Sequence, residues 1–379
     1  MTTASDELLR KTPLDAVHRR LGATMCPFAG WEMPLRYGSE RTEHTAVRTR
    51  AGLFDLSHMG EITVSGPQAA QALDYALVGD ISALAIGRAR YTMLCAEDGG
   101  ILDDLIVYRT GDQEYLVVAN AANAQRVLDE LTARAARFDG AEVRDDRDTY
   151  ALIAVQGPEA AAILAPLTDA DLEGLKYYAA APGTVAGTKA LIARTGYTGE
   201  DGFELFVPAG SAEAVWEAVM AAGTGRGLIP AGLSSRDTLR LEAGMPLYGQ
   251  ELTEATTPFD AGLGRVVKFG KTANGGSFVG REALAKAAET AREKPSRTLV
   301  GLVAEGRRGP RTGFTVTDEE GTAIGEVTSG APSPTLGKPI AMAYVDAEHS
   351  SPGTRVRVDI RGNREPYRVV ELPFYRRSR

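Results

Sequence analysis

Cysteine and histidine are scarce in this chain of 379 residues. The cysteines are Cys26 and Cys95, and the four histidines are His18, His44, His58 and His349. Two cysteines are too few for a disulfide framework, a structural zinc site or an iron–sulfur cluster. No two histidines stand three or four residues apart, which argues against a zinc site on a helix. We therefore expect no metal, and the cysteine count favours a reducing compartment.

The chain also lacks an excess of basic charge and any long apolar run. It has 42 Lys and Arg against 50 Asp and Glu, a net charge of −8, whereas nucleic-acid-binding domains are usually basic. No segment reaches the roughly 18 consecutive apolar residues of a membrane span. The first 20 residues contain Asp6, Glu7 and Asp15 and show no apolar core of a signal peptide. We expect a cytoplasmic protein that binds neither nucleic acid nor membrane.

Familiar nucleotide and nucleophile motifs are missing as well. The sequence contains no GxSxG elbow and no GxxxxGK[ST] loop. AGLGRVVKFG includes Gly262 and Gly264, but the rest of a dinucleotide fingerprint does not follow. We therefore expect no flavin and no nicotinamide cofactor.

Turn residues are abundant, with 42 glycines and 19 prolines, and the readable segments are mostly short strands. Two segments, VSGPQAAQAL and VQGPEAAAIL, are similar enough to indicate two related α+β units. We place these subdomains at approximately 1–145 and 146–290 and leave open that they interleave. From Arg297 onward six short alternating strands with turn residues between them predict a small barrel or sandwich domain over 291–379.

Two adjacent carboxylates interrupt the apolar run GGILDDLIVY. Alternate side chains of a strand share a face, so Asp104 is predicted on the same side as Leu102 and Tyr108. Asp103 then lies on the opposite side, and one of the two acids faces an apolar layer. A carboxylate there costs free energy unless it has partners or does chemistry. The alternative is that both acids are solvated at a strand end.

Two further segments contain candidate ligand-binding charges. In GYTGEDGFELFVP, alternation places Glu204 opposite Phe203 and Leu205, the alternative being a solvated strand glutamate. SSRDTLRLEAG is predicted to be a helix capped by Ser234, with Arg236 in its first turn. A cation in that turn opposes the helix dipole, which indicates an anionic partner unless Arg236 is a plain surface residue.

Six ordered blocks run from residue 21 to residue 334: LGATMCPFAGWEMPLRYGS, EHTAVRTRAGLFDLSHMGEITVSGP, RYTMLCAEDGGILDDLIVY, ARTGYTGEDGFELFVP, AGLSSRDTLRLEAGMPLYGQEL and GEVTSGAPSP. Together they resemble the T-protein family of the glycine cleavage system, the tetrahydrofolate-dependent aminomethyltransferases. The resemblance implies a three-domain α+β cloverleaf, in which two related α+β domains bind folate and a C-terminal antiparallel β-barrel follows.

The resemblance also implies a reaction and its partners. The one-carbon unit of S-aminomethyldihydrolipoyl H-protein is transferred to tetrahydrofolate, giving 5,10-methylenetetrahydrofolate, ammonia and dihydrolipoyl H-protein. Tetrahydrofolate is then a co-substrate, lipoylated H-protein is the direct partner, and the P- and L-proteins of the system are indirect ones. A bacterial, cytoplasmic enzyme is expected.

Carried over residue by residue, the resemblance makes Asp104 the catalytic carboxylate and leaves Asp103 without that role. The folate-binding residues that it implies are Met59, Tyr91, Tyr108, Tyr197, Glu204, Arg236 and Tyr375. Folate's glutamyl tail is anionic, so part of a basic mouth is expected from the C-terminal arginines Arg376, Arg377 and Arg379.

Relatives with other activities provide the alternatives. A folate-binding iron–sulfur assembly or repair factor of the same superfamily carries a KGCYxGQE-like block, whereas MPLYGQELTEATTP keeps YGQE but lacks the Lys and Cys. The dimethylglycine and sarcosine oxidoreductases fuse a flavin domain upstream of their folate domain, which is not expected here. A non-catalytic folate-binding protein would differ by releasing no ammonia.

Overall fold

The structure, a computed structural model, describes residues 9–293 and 296–377. The elements up to residue 145 are β1 (Arg10–Lys11), α1 (Asp15–Arg20), β2 (Thr24–Phe28), β3 (Trp31–Arg36), α2 (Glu40–Thr49), β4 (Ala51–Asp55), β5 (Gly60–Ser65), α3 (Ala69–Ala76), β6 (Ala89–Cys95), β7 (Ile101–Gly111), β8 (Glu114–Ala119), α4 (Ala124–Ala135) and β9 (Glu142–Asp145). Five of these strands form a sheet in the order β6-β7-β8-β5-β9, and β1-β3-β2 form a small separate sheet.

The next part of the chain builds a second large sheet. Its elements are β10 (Tyr150–Gln156), α5 (Ala160–Leu164), β11 (Ala180–Val185), β12 (Thr188–Ala193), β13 (Gly202–Pro208), α6 (Ala212–Gly223), β14 (Leu228–Pro230), α7 (Leu233–Glu242) and α8 (Arg281–Glu293). The strand order is β11-β12-β13-β10-β4-β14, so β4 from the first part of the chain lies inside this sheet. The predicted division of the first 290 residues near residue 145 stays a prediction.

The C-terminal strands close into a barrel. They are β15 (Arg297–Ala304), β16 (Thr315–Thr317), β17 (Ala323–Ser333), β18 (Lys338–Asp346), β19 (Arg355–Ile360) and β20 (Asn363–Val370). The order β15-β18-β17-β16-β19-β20 closes because β20 pairs with β15, and every pairing is antiparallel. The predictions of a mixed α+β chain and of an antiparallel C-terminal barrel are confirmed.

The two large sheets face each other, and five of the helices lie on their outer faces. Helices α1, α5 and α6 pack on the outer face of the six-stranded sheet, and α3 and α4 on that of the five-stranded sheet. The inner layer holds Phe54 and Phe206 from one sheet and Tyr108, Leu116 and Val118 from the other. This layer contains the candidate site, because the cavity described below opens into it.

Helix α7 begins two residues earlier than the predicted cap at Ser234 requires. It starts at Leu233, so Ser234 lies within the helix, and the N-cap position Gly232 provides no side chain. The carboxylate of Glu43 on α2 instead accepts hydrogen bonds from the Gly232 nitrogen (2.9 Å) and from the Ser235 hydroxyl (3.4 Å). The buried acid thus binds one backbone N–H at the start of α7 and lies at the positive end of the helix dipole.

Across residues 9–293 and 296–377, no helix combines the length and the apolar character needed to span a membrane.

Candidate active site

A cavity of about 390 Å³ lies between the two large sheets, under the loop that follows α7. This volume is within the range of about 300–1,000 Å³ for small-molecule sites. Seven of the eight predicted site residues line the cavity: Met59, Tyr91, Asp104, Tyr108, Tyr197, Glu204 and Arg236. The three-dimensional fold therefore brings together side chains that are up to 177 positions apart in the sequence.

Tyr375 is the predicted residue that does not line the cavity. Its backbone nitrogen donates to the Glu242 carbonyl (2.8 Å), and the Arg48 guanidinium lies 4.1 Å from the centre of its ring. In this structure Tyr375 joins the C-terminal segment to α2 and α7. Of the three predicted basic-mouth residues, Arg376 and Arg377 are exposed, and Arg379 lies outside the described residues.

Asp104 is half-buried at one end of the cavity, with donors on both of its carboxylate oxygens. Tyr91 donates its hydroxyl to Oδ2 (2.9 Å), and Asn120 donates its side-chain amide to Oδ1 (2.9 Å). Burial raises the pKa of Asp104, while the hydrogen bonds from Tyr91 and Asn120 favour the ionised form and oppose that shift. The site thus presents a desolvated carboxylate whose proton affinity exceeds that of an ordinary aspartate.

Asp103 points away from the cavity and is completely buried. It accepts hydrogen bonds from the Asn120 nitrogen (3.0 Å), the Asn120 amide (2.9 Å) and the Asn123 amide (2.6 Å). Burial raises the pKa of Asp103, and the charge of Asp104 adds to the shift. Because Asp103 is buried and Asp104 only half-exposed to the cavity, the alternative of two acids fully solvated at a strand end is wrong.

The face prediction for this strand holds for Asp104 and Tyr108 but is wrong for Leu102. Leu102 packs with Leu105 and Val107 in the core beneath α3 and α4. The reason is a shift in the pairing register of β6 with β7. Leu94 pairs with Asp103 and Cys95 pairs with Ile101, so Leu102 has no partner residue on β6. A bulge of this kind turns the following side chains relative to the preceding ones.

Glu204 forms the other end of the cavity. Its Oε2 accepts hydrogen bonds from the Thr195 hydroxyl and from the Tyr108 hydroxyl (3.4 Å), which are 2.9 Å from each other. Burial raises the pKa of Glu204, and the bond from Thr195 opposes the shift. No described residue donates to Oε1, so this oxygen is available to a donor on a ligand. Glu204 therefore combines a fixed orientation with an open acceptor.

Arg236 brings a cation into the same end of the cavity. Its guanidinium lies 4.9 Å from the centre of the Tyr197 ring, and it belongs to none of the ion pairs among residues 9–293 and 296–377. Burial lowers the pKa of Arg236, and the negative charge of Glu204 opposes that shift. A partly buried guanidinium remains charged, and its donors, which bind no described residue, suit an acceptor or an anionic group of a ligand.

His58, next to the predicted contact Met59, was not predicted as a site residue. It lines the cavity and is 3% exposed, and its Nδ1 has no hydrogen-bond partner among the described residues. Burial lowers the pKa of His58 to about 4, with a further contribution from the charge of Arg236. The imidazole is therefore neutral at neutral pH and presents an unused nitrogen near the cation.

The loop after α7 covers the cavity with Met245, Pro246, Leu247 and Tyr248. Arg240, which is 2% exposed, holds this loop from beneath. It donates to the Met245 carbonyl (3.3 Å), to the Glu251 carboxylate (2.9 Å) and to Ser329 of the barrel (2.8 Å). The buried Arg240 guanidinium therefore connects the barrel to the loop that covers the cavity.

Sequence reasoning missed several lining or supporting residues: Phe28, His58, Asn120, Tyr178, Thr195 and Tyr248. Asn120 carried a detectable signal, because a polar residue directly follows the apolar strand EYLVVA. Thr195 has no such signal, since nothing local indicates that it faces Glu204. Within residues 9–293 and 296–377, no three His, Cys, Asp or Glu side chains converge in a way that could hold a metal ion.

Comparisons with known proteins cover nearly the whole chain. The family model of the GCVT N-terminal domain matches residues 14–271. The family model of the glycine cleavage T-protein C-terminal barrel domain matches residues 297–376. A protein named aminomethyltransferase from Streptomyces coelicolor is 72% identical over 372 residues, which are 98% of this chain and 99% of that protein. An aminomethyltransferase from Geobacillus kaustophilus is 46% identical, with 98% and 100% covered.

A solved structure is similar over the same extent. The glycine cleavage system aminomethyltransferase T from Bartonella henselae is 40% identical and matches with a TM-score of 0.88. The match covers 97% of this chain and 98% of that chain. Both sequence and architecture are therefore similar from end to end.

Proposed function

Since the chain belongs to the glycine cleavage T-protein family and is an aminomethyltransferase of the glycine cleavage system, we propose that its cavity binds tetrahydrofolate between Glu204 and Asp104. The family uses tetrahydrofolate as co-substrate. The pterin ring lies at Glu204 and Arg236, and the reacting nitrogens N5 and N10 lie beside Asp104. The observation that carries the proposal is the composition of the cavity. One end has a carboxylate oxygen and a guanidinium without partners among residues 9–293 and 296–377, and the other end has a desolvated carboxylate.

The pterin end suits the ring's hydrogen-bonding edge. The aminopyrimidine edge of a pterin presents N–H donors, and the free Oε1 of Glu204 is a charged acceptor for them. The ring carbonyl is an acceptor, which matches the unused donors of Arg236. Tyr108 links the two ends, because it contacts Glu204 and stands four residues from Asp104 on β7, about 13 Å along the strand.

The chemistry requires a group that favours positive charge at the transferred carbon. The methylene carbon loses its bonds to the lipoyl sulfur and to the amino nitrogen and gains bonds to N5 and N10. The two N–H protons of tetrahydrofolate balance the products, one in ammonia and one on the thiol. Asp104, ionised and fixed by Tyr91 and Asn120, stabilises the cationic iminium character during transfer and orients the attacking nitrogen.

The lipoylated H-protein has to reach this cavity with its arm, so we place its docking site at the cavity mouth. Tyr178 lines the cavity, and the adjacent Tyr177 is half-exposed at the surface. Burial raises the pKa of Tyr177, and the nearby charge of Arg377 opposes that shift. Arg376 and Arg377 are both exposed in the C-terminal segment. Their positive charges would be complementary to an acidic surface on the carrier protein.

The role of Asp104 is tested by Asp104→Asn, with Asp103→Asn as the neighbouring control. We expect Asp104→Asn to lower turnover by at least about 10²-fold, the scale of a positioned electrostatic or acid–base group. Its affinity for tetrahydrofolate should stay within threefold of wild type, because Glu204 and Arg236 are intact. The measurement is ammonia release from aminomethylated H-protein, with calorimetry for folate. Equal losses of turnover in the two variants would contradict the assignment.

The full-length similarity to aminomethyltransferases does not favour the alternative of an iron–sulfur assembly or repair factor. Ammonia release also distinguishes the enzyme from a folate-binding protein without activity.

A further inference from the structure

We propose that Asn120 is a positioning residue of the transfer reaction, which holds the Asp104 carboxylate in the cavity while Asp103 holds Asn120. The inference rests on the proposed role of Asp104 and extends it to the side chains behind it. Asn120 is the first residue after β8 and precedes a short turn at residues 121–123. Its amide therefore projects from the end of a strand next to the one that carries both acids.

One side-chain amide serves both acids. The Nδ2 atom of Asn120 is 2.9 Å from Oδ1 of Asp104, 2.9 Å from the Asp104 carbonyl and 2.9 Å from Oδ1 of Asp103. The backbone nitrogen of Asn120 donates to Oδ2 of Asp103 (3.0 Å). Asp103 thus binds Asn120 at two points, which leaves the amide of Asn120 directed at Asp104.

This arrangement solves a specific electrostatic problem. Asp103 and Asp104 are consecutive, and each ionised carboxylate disfavours ionisation of the other. The side-chain amide of Asn120 donates to both carboxylates. It therefore offsets part of that repulsion and restricts the rotation of the half-exposed Asp104 side chain. The Tyr91 hydroxyl on β6 donates to the second oxygen of Asp104 and likewise restricts its rotation. Preorganisation of this kind lowers the cost of reaching the transition state.

The titration of Asp104 depends on every group packed around it. Those groups are Asp103 on β7, Tyr91 on β6, Tyr178 before β11, Tyr197 before β13, and Tyr248 and Glu251 in the loop after α7. Burial raises the pKa of each of the four tyrosines, which keeps them neutral. Removal of the Asn120 donor disfavours the ionised form of Asp104 and moves its titration to higher pH.

The decisive variants are Asn120→Ala and, as a matched control, Asn123→Ala. Each variant removes a side-chain amide that donates to Asp103, but of the two only Asn120 contacts Asp104. With aminomethylated H-protein and the full chain, we expect Asn120→Ala to lower kcat about 10- to 100-fold, the effect of one hydrogen bond to a charged group. The KM for tetrahydrofolate should stay within threefold, and the acid limb of the kcat profile should move to higher pH. Asn123→Ala should change kcat less than threefold.

A purely structural role for Asn120 would give a different pattern. Equal losses in the two alanine variants, a loss confined to KM, or an unmoved acid limb would each overturn the inference. If Asn120→Ala does not fold, Asn120→Asp keeps the size and the backbone contact while replacing the donor with a third carboxylate. It should shift the acid limb further, and an unshifted limb would again overturn the inference.

Asp104→Asn separates this inference from the proposed function. Wild-type turnover in Asp104→Asn would refute the proposed role of Asp104 itself. Lost turnover in Asp104→Asn together with wild-type turnover in Asn120→Ala would refute only the positioning role of Asn120.

Discussion

Replacement of Glu204 tests the pterin end of the site most directly. Glu204 is 8% exposed, and its Oε2 is occupied by Thr195 and Tyr108. A bound pterin can therefore donate to Oε1 without displacing a protein hydrogen bond. We consider two variants: Glu204→Ala removes the acceptor, whereas Glu204→Gln keeps an acceptor of the same size but removes its charge.

The expected magnitudes follow from the kind of bond that is lost. A hydrogen bond to a charged group contributes about 1.5–3 kcal/mol, so Glu204→Ala should weaken folate binding by about 10- to 150-fold. In Glu204→Gln the hydroxyls of Thr195 and Tyr108 can rotate to accept from the new amide. The amide oxygen then still faces the pterin, and the loss should be about 5- to 10-fold, the difference between a charged and a neutral acceptor.

The stability of the free protein should move in the opposite direction. Burial raises the pKa of Glu204, so its ionised form is disfavoured in the folded state and costs stability above the unfolded pKa. Glu204→Gln removes that cost, and its melting temperature at neutral pH should equal or exceed that of wild type. A variant that binds folate weakly but melts no earlier has lost recognition and has kept its fold.

Calorimetric titration with tetrahydrofolate measures the affinities, and ammonia release gives KM and turnover. Glu213→Ala on α6 is a suitable control, because Glu213 forms a surface ion pair with Arg20 away from the cavity. We expect KM to rise more than turnover falls in both Glu204 variants. Wild-type folate affinity in Glu204→Ala would refute the assignment of the pterin end.

Two further predictions concern the junction with the barrel and the docking of the carrier protein. Burial alone would raise the pKa of Glu242, but hydrogen bonding and charge from His44 lower it to about 2, so its stabilising effect is lost as pH falls from about 4.5 toward 2. Glu242→Gln, which removes one of the two carboxylates paired with Arg48, should cost about 3–5 kcal/mol in urea unfolding at neutral pH and much less near pH 2. An equal cost at both pH values would contradict this. Reversal of Arg376 and Arg377 to Glu should slow H-protein association and flatten its salt dependence in stopped-flow measurements, with less effect on folate affinity, whereas an unchanged rate would mean that the segment has no steering role.

Local patterns were sufficient for several features of the site. Alternation along β7 and β13 placed Asp104 with Tyr108 and separated Glu204 from Phe203, as the structure shows. This works because side chains of a strand alternate whatever the strand packs against. The six late strands likewise predicted a barrel or sandwich from turn spacing alone, and ordered sequence blocks indicated the family.

Other features depended on how distant segments meet. Nothing near Leu102 signals the shifted pairing with β6, and nothing near Tyr375 signals its contact with Arg48. Asn120 reaches Asp104 only because β8 pairs with β7 and ends beside the two acids. Periodicity determines which way a side chain faces, since it is a property of the local backbone. The partner that it meets there is decided by sheet order and register, which are set by burial over the whole chain.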